Sequence, residues 1–429
     1  MILKRLFILI LLLWLVPNVH SQDDEELGGY TTFEENKYYP RVNVVPYDNE
    51  KDISKLDYKK SSAYASLNGE WLFKLHKGNK VLERKNIEDT SLLNFSKWGR
   101  MNVPGNWIVE GKKVVAPAIK NMLSIASVDN YVGLYYREIS LPADWEGQTV
   151  YVQIGAAKSA YSIWVNGIYV GYSEDSKTPS DFDITACLKW KDGDKNNIII
   201  QVESNSEGSL LEEKLPKSFN GIERDVFLYS KPIANISDYG VVCDYQPRTG
   251  SGSMHLNLSL ENKKRKGEYY VEAILLDARG KEVDRYGKWA EFQKRSTVDM
   301  EISGVFANVE PWSEYNPYLY TLVLRLKDKT MTTIETLGCR VGFRNVDYTG
   351  GVLKINGNPT TIRGVVRGEM VTDNNFPTPE AMLKELELMK TNNINAVRVA
   401  YAPQHPYFSM NLLFYLSNGL CAPNYKSIR

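Results

Sequence analysis

The sequence predicts a mainly β protein: a jelly-roll β-sandwich, then an immunoglobulin-like β-sandwich, then an incomplete (β/α) TIM-barrel fragment. Three observations support this order. Short apolar runs with a period of two residues fill residues 61–236, with almost no helical period. A second set of such runs fills residues 237–346. Over residues 347–429 strands alternate with helical patterns, which is typical of parallel βαβ units.

The first sandwich is predicted from four apolar runs and one hairpin. The runs are residues 71–75, 133–141, 149–155 and 197–203. The hairpin turns at Asn166-Gly167, because these two residue types tolerate the positive φ of a type I′ turn. Many short strands without helices indicate a jelly roll.

The second sandwich is predicted from five further runs, which are residues 254–260, 269–277, 297–302, 319–327 and 333–341. Their spacing within residues 237–346 fits an immunoglobulin-like domain. The basic stretch at residues 263–266 lies between two of these runs, and we expect it to be a solvated loop.

The third region begins with a predicted strand at residues 361–366. Thr378 suits a helix N-cap with Pro379 at the first helical position. A second strand is predicted at residues 394–399, a second helix at 406–417 and the start of a third strand at residue 420. A closed (β/α)₈ barrel needs about 200 to 250 residues. We therefore expect only its first strand–helix units within residues 347–429.

Residues 1–21 have the pattern of a secretory signal peptide. Lys4 and Arg5 form a basic start, an apolar run follows, and Ser21 suits the last position before a cleavage site. The run is shorter than the about 20 apolar residues of a membrane span, and a retained anchor is the alternative. We expect a secreted or periplasmic protein, free of the membrane after cleavage, with a polar arm or linker over residues 22–60.

The charge balance argues against two classes of partner. Lys and Arg together number 52, as do Asp and Glu, so the formal net charge is zero. Nucleic acids and anionic membranes favour a basic face, and neither is expected as a partner. Formation of a homo-oligomer stays open.

The cysteines and histidines predict no metal site and no catalytic triad. The cysteine spacings match no metal motif, and isolated thiols or a disulfide both stay open. The chain has four histidines, one of them within residues 1–21. The cysteines are Cys187, Cys243, Cys339 and Cys421.

Seven short motifs, in this order and spacing, resemble glycoside hydrolase family 2 and, within it, the β-galactosidases. The resemblance covers about residue 61 to the end of the chain. The motifs are Ser66-Leu67-Asn68-Gly69-Glu70-Trp71, Val103-Pro104-Gly105-Asn106-Trp107, Trp164-Val165-Asn166-Gly167 with Gly171-Tyr172-Ser173-Glu174-Asp175-Ser176, Gly221-Ile222-Glu223-Arg224-Asp225-Val226, Val341-Gly342-Phe343-Arg344, Ile355-Asn356-Gly357 and Ile362-Arg363-Gly364-Val365.

The resemblance implies retaining hydrolysis of terminal β-D-galactosides, with a β-galactoside or related glycan as the partner. That mechanism uses two carboxylates about 5–5.5 Å apart, one as nucleophile and one as general acid/base. In the family both lie on later barrel strands, so we expect no catalytic residue in this chain and no activity from it alone. Glu369 matches a family glutamate outside the catalytic pair. Glu380, Glu385 and Glu387 are expected on an outer helix.

The resemblance also implies the substrate-binding residues Asp175, Asn121 and Arg398. The resemblance supports Asp175 most directly, since the matching family aspartate binds sugar hydroxyls and a monovalent cation. The alternative for Asp175 is a turn-forming aspartate that bonds its own backbone. Relatives use Mg²⁺ and Na⁺, but most of the ligands are absent here, so no metal or other cofactor is expected with certainty.

The chain departs from the family pattern at three places. Gly368 and Tyr401 stand where relatives have histidines, and Lys217-Ser218 replaces a tryptophan. Imidazoles there would hydrogen-bond sugar hydroxyls and developing charge. Three functions therefore stay open: the first portion of a glycosidase, a non-catalytic carbohydrate-binding or interaction protein derived from that family, and a purely structural sandwich protein.

Overall fold

The computed structural model describes residues 32–78, 82, 93–109, 112–113, 130–191, 193–212, 220–263, 266–368, 377–400 and 403–415. The predicted signal peptide, Asn121, Glu369, Tyr401 and Cys421 lie outside these residues, as does the third strand predicted at residue 420. Within them the protein is mainly β, and three regions follow one another in the predicted order. None of the helices in the described residues is long and apolar enough to cross a membrane.

The first sandwich places a seven-stranded sheet over a four-stranded and a three-stranded sheet. The large sheet has the order β1-β12-β11-β14-β8-β3-β4, and the facing sheets have the orders β13-β9-β16-β2 and β10-β15-β5. The elements are β1 (Glu34–Glu35), α1 (Glu50–Lys55), β2 (Tyr64–Ser66), β3 (Gly69–Lys77), β4 (Gly99–Val103), β5 (Gly105–Asn106), β6 (Ile108–Val109), β7 (Lys112–Lys113), β8 (Tyr131–Ile139), β9 (Thr149–Ile154), β10 (Ala157–Lys158), β11 (Ala160–Val165), β12 (Ile168–Ser173), β13 (Ser180–Asp183), β14 (Asn196–Glu203), α2 (Glu207–Glu212), β15 (Gly221–Ile222) and β16 (Val226–Lys231).

The predicted hairpin is confirmed. β11 pairs with β12 across a turn in which Asn166 and Gly167 have φ of 51° and 81°. These positive values are what a type I′ turn requires, and they explain the Asn-Gly pair. The core between the sheets is rich in aromatic rings, among them Trp71, Trp107 and Tyr135.

The second sandwich packs the sheet β17-β18-β21 against β20-β19-β22-β23. β18 shows why it forms, since its even-numbered residues from Met254 to Leu260 are buried while His255 and Asn257 are exposed. The sequence prediction missed two edge strands, β17 and β20. β20 is largely polar and lacks an apolar run. The strands are β17 (Ala234–Gln246), β18 (Ser251–Asn262), β19 (Gly267–Leu276), β20 (Glu282–Phe292), β21 (Ser296–Phe306), β22 (Tyr320–Lys327) and β23 (Thr333–Val341).

The third region contains the predicted strand–helix units. β27 and β28 are parallel, and Thr378 caps α3 by accepting a hydrogen bond from the Ala381 amide at 3.3 Å. Met382 and Leu386 of α3 pack against Phe408 and Leu412 of α4. The elements are β24 (Val346–Asp347), β25 (Lys354–Ile355), β26 (Asn358–Pro359), β27 (Gly364–Arg367), α3 (Pro379–Thr391), β28 (Ala396–Val399) and α4 (Pro406–Tyr415).

The arm before residue 61 packs on both sandwiches. Its strand β1 pairs with the edge strand β12 of the first sandwich. Val44 and Val45 are buried in the core of the second sandwich, and Ile53 of α1 packs on Ile274 and Val323. The arm is therefore a structural segment that joins the two domains, which its polar composition did not reveal.

Buried charged side chains lie in the contact between the two sandwiches, and this contact is called the seam. The Lys231 ammonium lies 3.1 Å from Oε1 of Glu335, and both side chains are 0% exposed. Arg41 of the arm pairs with Asp181 at 3.0 Å. The expectation of a solvated loop at residues 263–266 is wrong for Lys263, whose Nζ lies 2.5 Å from Asp183. Lys263 also donates to the hydroxyls of Tyr38 and Tyr151, so this lysine belongs to the seam.

Three of the four cysteines lie within the described residues, and Cys187, Cys243 and Cys339 are free thiols there. Isolated thiols, one of the two alternatives left by the sequence, are therefore what the structure contains at these positions.

The seam should give an acid-dependent contribution to stability. Burial alone would raise the pKa of Asp183, but hydrogen bonds from Lys263 and Thr185 outweigh it and hold the pKa below its usual value. A carboxylate with a depressed pKa stabilises the fold fully above its unfolded pKa, about 3.9. That contribution is lost as the pH falls through the folded value.

Asp183→Asn should therefore destabilise the protein by on the order of 1 kcal/mol at pH 7. The gap in urea midpoint between wild type and variant should stay constant down to about pH 5 and narrow below about pH 4. Glu138→Gln removes an exposed carboxylate paired with Lys195 and should change little. A gap that widens in acid would show that Asp183 is not stabilised by Lys263.

Hydrogen exchange should separate the arm from the third region. Val366 of β27 is 61% exposed and Ile362 before it is 55% exposed, whereas Val44 and Val45 of the arm are 2% and 1% exposed. Amides of β27 and β28 should exchange roughly tenfold or more faster than those of residues 42–48 by mass spectrometry. Equal protection of the two segments, or faster exchange in the arm, would contradict this.

Candidate functional site

The loop between β12 and β13 carries Asp175, the residue that the resemblance singles out. Oδ1 of Asp175 accepts hydrogen bonds from the amides of Thr178 at 2.9 Å and Lys177 at 3.3 Å. This is the turn-forming arrangement that the sequence left as the alternative. The side chain is 31% exposed. One oxygen thus shapes the loop, and the carboxylate still reaches the surface.

The second oxygen of Asp175 meets the arm. Nζ of Lys37 lies 3.5 Å from Oδ2 of Asp175, and the Lys37 side chain is only 3% exposed. The ammonium also lies 3.5 Å from Oγ of Ser173 and 3.2 Å from a carboxylate oxygen of Glu34. Sequence reasoning missed Lys37, because 138 residues separate it from Asp175.

The monovalent cation implied for Asp175 does not fit this arrangement. Its coordination needs free oxygens, and here backbone amides engage Oδ1 while an ammonium faces Oδ2. Among the described residues no three His, Cys, Asp or Glu side chains converge to hold a metal ion.

Glu174 attaches the same loop to the sandwich. This buried carboxylate accepts from the Tyr172 hydroxyl at 2.6 Å and from the Gly208 amide at 2.7 Å. Gly208 lies in α2, and its Cα faces Glu174 so closely that a Cβ there would sit 3.1 Å from the carboxylate. The loop is therefore held by contacts within the first sandwich as well as by Lys37 of the arm.

Arg224 joins the Asp175 loop to the third region. Its guanidinium donates to the carbonyl of Lys177 at 2.6 Å and to the carbonyl of Pro403 at 2.8 Å. Pro403 follows β28, so one buried side chain spans the sandwich loop and the barrel units. Glu223, the neighbour of Arg224, forms an ion pair with the Lys177 ammonium.

Two of the quoted motifs hold each other next to this junction. The Asn68 amide donates to Asp225 at 2.8 Å, and its carbonyl oxygen accepts from the Val226 amide at 2.9 Å. Lys59 of the arm pairs with Asp225 at 2.7 Å. Burial would raise the pKa of Asp225, but these bonds from Lys59 and Asn68 hold it below its usual value.

The other predicted sugar ligands lie apart from this cluster or outside the described residues. Arg398 lies on β28 opposite Val366 and is exposed. Among the described residues no hydrogen bond or ion pair joins it to Asp175. Asn121 is outside the described part of the chain. The structure therefore brings Lys37, Asp175 and Arg224 together, and of these the sequence had predicted only Asp175 as a site residue.

Glu380, Glu385 and Glu387 lie on α3, the helix on which they were expected, but Glu385 faces strand β27. Glu385 forms an ion pair with Arg367 at 2.9 Å, while Glu380 and Glu387 are exposed. Arg367 in turn lies 3.9 Å above the ring of Phe408, so Glu385 helps to attach α3 and α4 to β27.

Comparison with protein families matches each region to one model. Residues 64–232 match the sugar binding domain of the glycosyl hydrolases family 2. Residues 234–344 match a second model of that family, and residues 346–412 match its TIM barrel domain.

Two curated relatives are β-galactosidases. The one from Priestia megaterium is 32% identical over 385 residues, covering 86% of this chain and 37% of the relative. The one from Psychromonas ingrahamii is 32% identical over 365 residues, covering 82% and 34%. The chain thus spans about a third of the length of these relatives.

Solved structures share the fold. A β-glucuronidase of Bacteroides uniformis superposes with a TM-score of 0.69 at 20% identity, over 82% of this chain and 41% of that one. A family 2 member from Bacteroides cellulosilyticus gives 0.68 at 20% identity, over 82% and 46%. With three consecutive regions matched to one family and the same fold in its solved members, the chain belongs to glycosyl hydrolase family 2.

Proposed function

We propose that this chain forms the sugar-binding domain, the immunoglobulin-like domain and the first barrel units of a β-galactosidase that cleaves terminal β-D-galactosides with retention. The observation that carries the proposal is the Asp175 loop. Its carboxylate is part-exposed. Arg224 connects the same loop, at the Lys177 carbonyl, to the carbonyl of Pro403 in the segment that follows barrel strand β28. In a (β/α)₈ barrel the ends of the strands surround the active site.

Asp175 can serve a sugar without leaving this geometry. A carboxylate accepts several hydrogen bonds, and sugar hydroxyls are donors. Oδ1 is committed to the loop backbone, so Oδ2 and its exposed face would receive the hydroxyls. Arg398 and Asn121 are proposed as further substrate contacts, in line with the family resemblance.

The chain alone is proposed not to hydrolyse glycosides. A retaining mechanism needs two carboxylates about 5–5.5 Å apart on opposite faces of the bond to be cleaved. In the described barrel units, Glu385 is paired with Arg367 and the other α3 carboxylates face outward. The nucleophile and the acid/base would therefore come from barrel strands that these units do not include.

The compartment is part of the proposal. The basic start and short apolar run of residues 1–21 support export to the periplasm or the medium. Extracellular or periplasmic glycans are then the substrates within reach.

The second candidate is a non-catalytic carbohydrate-binding or interaction protein derived from the same family. It is favoured by Gly368, which follows β27 where relatives carry a histidine, and by Tyr401 at the second such position. Both changes remove imidazoles from the predicted sugar pocket. This candidate requires a sugar site that the sandwich completes by itself.

One titration separates the two candidates. Two or three hydrogen bonds of about 0.5–1.5 kcal/mol each barely offset the cost of association. Methyl β-galactoside should therefore bind no better than roughly millimolar by saturation-transfer NMR. Asp175→Asn keeps the loop-forming oxygen and should weaken this binding severalfold, whereas Glu138→Gln, on an exposed strand residue, should not.

The same samples should show no turnover of an aryl β-galactoside above a buffer blank. Micromolar binding that Asp175→Asn leaves unchanged would favour the second candidate. Turnover by the purified chain would contradict the assignment of the catalytic pair to other strands.

A further inference from the structure

The ammonium of Lys37 is surrounded by three oxygens in the manner of a bound cation. Glu34, Ser173 and Asp175 place one oxygen each at 3.2, 3.5 and 3.5 Å from Nζ. An ammonium group carries three hydrogens and no acceptor, so three oxygen partners satisfy it. The side chain is 3% exposed, and this charge is thus withdrawn from solvent and held by these partners.

The arm fixes Lys37 from both directions along the chain. Before it, Glu34 pairs with Ser173, and the Phe33 carbonyl accepts from the Glu174 amide at 2.9 Å. After it, the Tyr38 amide donates to the Asp181 carbonyl at 3.0 Å. These bonds attach the arm to both ends of the loop that carries Asp175.

The left-handed backbone conformation of Asn36 directs Lys37 toward the loop that carries Asp175. Asn36 has φ of 55°, which turns the arm out of strand β1, and its side-chain amide donates to the Val170 carbonyl at 3.0 Å. Asparagine is among the few residues other than glycine that adopt this conformation readily. Lys37 is thereby tethered beside Asp175 at a high effective concentration.

We infer that Lys37 replaces a monovalent metal ion at Asp175. A Na⁺ or K⁺ at the same oxygens would lie within a few ångströms of the ammonium, and two positive charges at that distance repel each other. One unit of positive charge at Oδ2 is enough to orient the carboxylate, and the tethered ammonium supplies it without a free ion. Lys37 is thus a positioning residue for Asp175, whose use by a sugar rests on the proposed function.

The experiment measures ion binding and needs no sugar. Wild type should show no saturable broadening of the ²³Na signal and the same melting temperature in NaCl and in choline chloride at equal ionic strength. Lys37→Met keeps the length of the side chain and vacates the oxygens. This variant should bind Na⁺ saturably and melt higher in NaCl than in choline chloride. Lys195→Met, which removes an exposed lysine, should behave as wild type.

Two results would overturn the inference. Saturable Na⁺ binding by wild type that Asp175→Asn abolishes would show that the metal, not the ammonium, occupies these oxygens. A folded Lys37→Met protein with no response to Na⁺ would show that Lys37 forms an ordinary ion pair.

A second measurement serves if Lys37→Met does not fold. In protein labelled with ¹⁵N-lysine, the hydrogens of a buried ammonium with three oxygen partners should exchange slowly enough to be observed. That signal should disappear in Asp175→Asn, and its survival unchanged would overturn the inference. Because no sugar is present, a negative result here leaves the proposed glycosidase function standing, and a failed galactoside titration leaves this one standing.

Discussion

The ion pair between Lys231 and Glu335 is the interaction on which the arrangement of the two sandwiches depends. Both side chains are fully buried, and each costs several kcal/mol to remove from water. Ile236 compensates both charges, since its carbonyl accepts from Lys231 at 2.6 Å and its amide donates to Glu335 at 2.7 Å. Burial lowers the pKa of Lys231 and raises that of Glu335, so each charge is tolerated only while the other remains. A shift of one domain against the other would leave a buried charge unpaired.

The arm follows from this constraint. Arg41 reaches the same seam, where it pairs with Asp181 and donates to the Tyr229 hydroxyl at 2.7 Å. Tyr229 stacks on Tyr151, and the Lys263 ammonium lies 4.9 Å from the centre of the Tyr151 ring. Contacts in the seam fix the position of Arg41, and β1 is fixed by its pairing with β12. Only the few residues between β1 and Arg41 can therefore change their path. Lys37 lies within those residues, and the segment that joins the domains is therefore also the segment that positions Asp175.

The sequence predicted the features that depend on interactions between residues close together in the chain. Alternating burial in β18, the Asn166-Gly167 turn and the Thr378 cap each depend on neighbours within a few residues, and each is confirmed. It missed β20. This strand forms by pairing with β19, and its largely polar residues give no apolar run that would predict it. It placed Lys263 in solvent and could not place Lys37, because their partners Asp183 and Asp175 lie far away along the chain. For Asp175 it left a turn and a ligand as alternatives, and the structure shows that the turn uses one oxygen and leaves the other for a partner.

The loop that carries Asp175 is held at two points by different parts of the protein. These contacts explain how a loop of the first sandwich is positioned relative to the barrel units. Lys37 holds the carboxylate from the arm, while Arg224 holds the Lys177 carbonyl and Pro403 together. A guanidinium is planar and carries five donors, so it can bridge the two carbonyls in a fixed geometry. A displacement of the barrel units would move the loop through Arg224, and the contact between Lys37 of the arm and Asp175 would resist that movement. The carboxylate is thus set by both contacts at once, which makes its position a property of the assembled domains.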